Sequence, residues 1–200
     1  MAHIPDGVLS TPVLLAGAMA AAAGVAWGLR RLEPVRIPQV AVLSAVFFVA
    51  SLVHLPAGPS SVHLMLNGLM GIALGAAAFP AILVALTLQA VLFGFGGLLV
   101  LGVNVTDMAV PAVLAGLLFR LLAGGEPRRD GILAGVLSAG AVLLTALMVA
   151  GALSLSGSEF IPAARLVVVT TLPVAVVEAV FTAAAIGLLA RVRPGMLVAR

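Results

Sequence analysis

The stretch GILAGVLSAGAVLLTALMVAGAL, residues 131–153, holds no charged residue and directly follows Arg128-Arg129-Asp130. About 20 apolar residues at 1.5 Å each cross the ~30 Å hydrocarbon core of a bilayer, so this run reads as one transmembrane helix. The rest of the chain repeats the pattern. Of 200 residues, 63% are hydrophobic and 8% charged, against the roughly 25% charged residues of a soluble domain. A chain so poor in charge cannot cover a water-facing surface. Lipid is its natural solvent, where helices satisfy their own backbone.

Working outward, seven apolar segments emerge at about 11–29, 37–53, 61–79, 80–94, 108–123, 131–153 and 166–190. Their punctuation is Glu33-Pro34, Leu55-Pro56-Ala57-Gly58-Pro59, Phe79-Pro80, Gly94-Phe95-Gly96-Gly97, Gly124-Gly125-Glu126-Pro127 and Ser156-Gly157-Ser158. The expectation is an all-α, polytopic membrane protein of about seven transmembrane helices forming a single domain, 1–200. With seven spans, Arg30, Arg31, Arg36, Arg120, Arg128, Arg129, Arg191, Arg193 and Arg200 share one side, and only Arg165 lies opposite. The positive-inside rule makes the arginine side cytoplasmic, with the C-terminus there and the N-terminus outside.

Other classes fall away. There is no cysteine, so disulfides and thiolate metal sites are excluded, and there are no lysines or tyrosines. The net charge of +3 lies in short clusters between apolar runs, which is topology rather than a nucleic-acid footprint. The start, MAHIPDGVLSTP, has no basic residue ahead of the first apolar run, so no cleavable signal is expected and this segment stays in the mature protein.

The predicted external face collects residues 1–10, the 54–60 loop, a glycine-rich 94–107 segment and the 154–165 loop. His3, His54 and His63 fall there, with Asp6, Asn104 and Asp107. An imidazole so near a free amino terminus can chelate a divalent ion with the terminal amine, a deprotonated backbone amide and its ring nitrogen. Such nitrogen donors in a plane suit nickel or copper(II). A small residue such as Ala2 generally permits removal of Met1. Three nitrogens from Ala2 and His3 then leave one position open, whereas retained Met1 would give four nitrogens from the first three residues. His63, at the outer end of the third segment, is the natural fourth ligand. His54, at a loop edge, needs no explanation beyond exposure, and its ligation stays open.

If residues 61–79 form one helix, Asn67 lies a turn below His63 and shares its face with Met70, where it would orient the His63 ring. Gln89 and Asn104 read as neutral groups for helix-to-helix hydrogen bonds. Glu178, deep in the seventh segment, reads as structural or coupling-related rather than catalytic. Gly71–Gly75 and Gly131–Gly135 have the GxxxG spacing of close helix contacts. Two other classes compete: an intramembrane hydrolase using Ser60 or Ser61 with a histidine, and a structural membrane subunit with incidental histidines. On a helix Ser61 and His63 point to different faces, and no GxSxG setting is present.

Four blocks, HIPDGVLS, GPSSVHLMLNGLMG, LQAVLFGFGGLLVLGVN and LPVAVVEAV, together resemble the CbiM/NikM family over essentially the whole chain. Its members are substrate-binding membrane components of cobalt and nickel energy-coupling-factor transporters. The resemblance implies seven helices and an N-terminal segment, 1–10, that captures Co2+ or Ni2+ in an external pocket. The implied ligands are the amine of Ala2 (Met1 instead if it is retained), His3 and His63. Asp6, Asn67, Gln89, Asn104 and Glu178 fall in matching blocks as supports. Family members usually begin with Met directly before His, so the intervening Ala2 is a departure that methionine removal would restore. The implied partners are a transmembrane coupling subunit, a pair of cytoplasmic ATPases and, in many systems, a small accessory membrane protein, all in a prokaryotic cell membrane. No GxxxxGK[ST] motif occurs, so ATP hydrolysis is expected in the partners and this chain is not expected to be an enzyme. The chain ends soon after the seventh segment, so no fused accessory segment is expected.

Overall fold

The computed structural model describes residues 4–52, 54–57 and 60–192, with the backbone alone for 54–57 and 60–63. Among the described residues seven α-helices follow one another: α1 (Thr11–Arg30), α2 (Ile37–Leu52), α3 (Asn67–Leu74), α4 (Ala78–Phe93), α5 (Leu101–Leu122), α6 (Pro127–Ser156) and α7 (Ile161–Val192). Prolines open α1 and α6 within the first two positions, where a missing N–H costs nothing. Between α2 and α3 lies an antiparallel hairpin, β1 (His54–Ala57) and β2 (Ser60–His63).

Six helical stretches among the described residues are long and apolar enough to cross a membrane. The count differs from the seven predicted because the third and fourth segments form one such stretch, 67–93, broken at Gly75. Alone, α3 is about 12 Å long, well short of the bilayer core. Residues 61–66 of the predicted third segment are strand and coil, so the expected helix over 61–79 does not form. Gly75 turns the chain at φ 60, a conformation glycine adopts without strain.

Contacts give the helix directions. Asn67 lies level with Met108 and Gly75 with Arg120, so α3 descends beside α5. Then Phe79 lies against Gly24 and Gln89 meets Ser51, so α4 climbs back. At one end, Arg31, Arg36 and Arg120 line a common cavity, and Arg128 and Arg191 line another at the adjoining ends of α6 and α7. Residues 4–10, the start of α5 and the end of α6 meet at the other end. The predicted gathering of these arginines at one end is present.

The core runs along α3, which is buried at every position. A Cβ on Gly71 would lie 1.6 Å from the Ala112 carbonyl oxygen, and one on Gly116 2.1 Å from that of Gly71. Backbone thus touches backbone, so dispersion contacts replace the hydrophobic drive that lipid cannot supply. Gly131 and Gly135 likewise meet the Ala183 and Ala179 carbonyls of α7. Both GxxxG patterns therefore serve internal packing. Outward lie large apolar side chains such as Leu15, Val91, Leu121 and Val180, a surface suited to acyl chains.

Candidate metal centre

The segment 4–10 folds onto one end of the bundle. Ile4 is 2% exposed, and both its backbone groups are bound by one side chain. The Ile4 N–H donates to Asn104 Oδ1 at 3.1 Å, and Asn104 Nδ2 donates to the Ile4 carbonyl at 3.1 Å. An amide side chain here does what a neighbouring strand would do. Two residues on, Asp6 Oδ1 accepts the Val100 N–H at 3.0 Å, with Gly97 packed so close to the carboxyl that no side chain would fit there. Leu9 packs among Val100, Val103, Val149 and Leu153, and the Ser10 N–H reaches Ser156 Oγ at 3.1 Å.

Asn104 and Asp107 are not in an external segment between spans, as the reading of 94–107 implied, but in the first turns of α5, both buried. Their helix continues because Thr106 bonds the Gly17 carbonyl of α1 and Asn104 bonds Ile4. Polar residues that read as loop are instead internal partners. Asp107 was not assigned a role from the sequence; its Oδ2 is buried without a hydrogen-bond partner among the described residues.

The second half of the site follows β2. In the hairpin the Cα atoms of His54 and His63 are register partners, a separation of about 4.5–5.5 Å in antiparallel pairs. His63 is thus at the end of a strand rather than a turn above Asn67, and the expected shared helix face does not exist. Ser61 and His63 both lie in β2 and so do not stand on different faces of a helix. The side chains of His54 and His63 and the whole of Met1, Ala2 and His3 lie outside the described residues. Among the described residues no three His, Cys, Asp or Glu side chains gather in a cluster fit to hold a metal ion.

Asn67 opens α3 and bonds away from β2. Its Nδ2 donates to Thr145 Oγ1 at 2.8 Å and to the Met108 carbonyl at 3.4 Å, while its Oδ1 accepts the Gly68 N–H. Asn67 therefore ties the start of α3 to α5 and α6. Glu178 holds the same helix end from α7: its Oε1 accepts the N–H groups of Met65 and Leu66, the latter at 2.8 Å. A helix beginning inside a membrane exposes N–H groups that water cannot reach, and a carboxylate there also complements the helix dipole. Leu66 adopts φ 49, strained for a branched residue, so it persists only because these bonds over-determine it. Gln89 is more remote: its Nε2 donates to Ser51 Oγ at 2.7 Å, joining α4 to the end of α2.

The segment 4–10 and the start of α3, which follows β2, thus both bond to α5. Ile4, the neighbour of His3, is bound by Asn104, and Asn67, four residues after His63, reaches the Met108 carbonyl. These two positions on α5 are one helical turn apart, about 6 Å. Thr145 and Ser51 also belong to this framework and were missed in the sequence, although a hydroxyl inside an apolar run is itself a signal of a buried partner.

The profile of the family described as the cobalt uptake substrate-specific transmembrane region, CbiM, matches residues 3–196. The chain belongs to the CbiM family. A protein of Haemophilus influenzae named for metal transport is 44% identical, over 98% of this chain and 96% of its own. A fused nickel transport protein, NikMN, of Rhodobacter capsulatus is 37% identical over 74% of this chain and 46% of its own length. A crystal structure of a truncated transition metal transporter shares the fold, with a TM-score of 0.73 at 24% identity, covering 94% of this chain and 98% of that one. As a CbiM-family member the protein is a multi-pass membrane component of cobalt or nickel transport, and not an enzyme.

Proposed function

We propose that this chain is the substrate-specificity component of an ATP-driven energy-coupling-factor transporter, capturing Co2+ or Ni2+ at the external face. The observation that carries the reading is the convergence on α5, where Asn104 binds Ile4 and the Met108 carbonyl receives Asn67. Ile4 directly follows His3 in the chain. The proposed ligands are the terminal amine (Ala2, or Met1 if retained), the His3 amide and ring, and His63. Asp6, Asn104, Asn67 and Glu178 brace the two segments, and Gln89 braces α4 behind them.

The arginine-rich end faces the cytoplasm in this reading, by the positive-inside rule. A transmembrane coupling subunit and a pair of ATPases supply the energy, with a small accessory membrane protein in the complex, in a prokaryotic cell membrane. Support for these partners is family membership and the absence of a phosphate-loop motif from this sequence.

A ligand that binds only the folded state raises its stability, by about 4 kcal/mol at a thousand times Kd. Purified protein titrated with Ni2+ and, separately, Co2+ at matched concentrations therefore melts several degrees higher with at least one of them. Mg2+, which prefers oxygen ligands, leaves melting unchanged. Equal melting with all three ions would contradict the proposal.

A further inference from the structure

Three guanidinium groups converge at the arginine-rich end in a way the metal site does not use. Arg31, Arg36 and Arg120, with Trp27 and residues 74–77, line a cavity of about 150 Å³. Three elements meet there: the end of α1, the short turn Pro34–Arg36 leading into α2, and the end of α5, all around the C-terminus of α3.

Part of this charge has a structural use. Arg36 Nη2 donates to the Ala73 carbonyl at 3.0 Å, covering one of the open carbonyls of α3, and its Nε and Nη2 reach Gln39 Oε1 at 3.4 Å. One arginine serves that purpose. The guanidinium groups of Arg31 and Arg120 have no hydrogen-bond acceptor among the described residues, and no described carboxylate pairs with any of the three. Arg120 is repelled by both Arg36 and Arg31. Gly75 leaves room for it, since a Cβ there would lie 2.0 Å from Arg120 Nη2.

Three like charges held around a concavity offer a site to an anion. The setting indicates which kind. Trp27, the only tryptophan, is 39% exposed, stands edge-on to Phe79 at 6.5 Å, and lies 5.9 Å beneath the Arg31 guanidinium. An indole with one face in protein and one side open belongs at the headgroup level of a bilayer. Planar guanidinium forks match phosphate oxygens two at a time. Basic pockets between helices at this depth suit anionic headgroups.

We propose that this cavity binds the phosphate of an anionic phospholipid, held by Arg31 and Arg120 with Trp27 against the glycerol and upper acyl region. The site holds whether or not the metal reading is correct. It requires only that this end of the bundle meets the membrane surface. Occupancy ties the ends of α1 and α5 to the break between α3 and α4.

The test is native mass spectrometry of the detergent-purified full chain with short-chain phosphatidylglycerol, phosphatidylcholine or inorganic phosphate added. Wild type should retain phosphatidylglycerol in preference to phosphatidylcholine. Retention should fall about fivefold in each of Arg31→Gln and Arg120→Gln. Both residues are exposed, so these variants leave the core intact. Arg165→Gln, at the opposite end, should retain the lipid as wild type does. Equal retention of the two lipids, undiminished retention in Arg31→Gln and Arg120→Gln, or equally strong binding of inorganic phosphate alone would each overturn the proposal.

Discussion

His63→Ala lowers the affinity for Ni2+ and Co2+ by about 100-fold or more, because loss of a direct ligand exceeds the 10–100-fold typical of losing an outer partner. The residue lies in β2, at the end of the hairpin, and its main-chain pairing with His54 does not depend on the imidazole. Melting of the metal-free variant should therefore match wild type, so that titration calorimetry reads the site and not the fold. His54→Ala, run beside it, decides whether the register partner contributes. Wild-type affinity in His63→Ala would remove this histidine from the site.

Glu178→Ala acts on the fold itself. Its Oε1 accepts two backbone N–H groups where no water reaches, and each donor left unpaired costs about 1–3 kcal/mol. Set against a total stability of about 5–15 kcal/mol, the loss is large. Glu178→Gln keeps one oxygen acceptor but puts an amide nitrogen, with two N–H donors, where Oε2 has no hydrogen-bond partner among the described residues. Thermal melting in detergent should fall in both variants, and further for alanine, which also removes the acceptor of both backbone N–H groups. Melting of Glu178→Ala at the wild-type temperature would show that the start of α3 is held by something else.

The long spans were legible because their length is a local property. Residues 11–29, 131–153 and 166–190 can do nothing in a bilayer but cross it, and the arginines that bound them mark one end. The region 54–66 was not legible in this way. A short apolar run has no period that separates strand from helix, and what stops it is Glu178, 112 residues beyond Leu66. The start of α5 was missed for the same reason: Asn104, Thr106 and Asp107 read as loop until Ile4 and Gly17 are seen beside them. Asn67 was recognised as important, but its partners Thr145 and Met108 lie on helices that the sequence does not place.

The site was legible in a different proportion. Residue types and the four motif blocks pointed to His3 and His63 and to Asp6, Asn67, Gln89, Asn104 and Glu178 beside them, while the hydrogen-bond partners of these five emerged only from geometry. Asn104 changed most, from a neutral helix contact to a clamp on both backbone groups of Ile4.

In the proposed metal site the chain's own amino terminus is a ligand. The most direct measurement of this is Ni2+ and Co2+ affinity with a free terminus against one carrying a two-residue extension, each checked by intact mass. The mass also shows whether Met1 is present ahead of Ala2. Binding should be tight with the free terminus and weaker by at least about 100-fold with the extension. Equal affinity in the two proteins would contradict it.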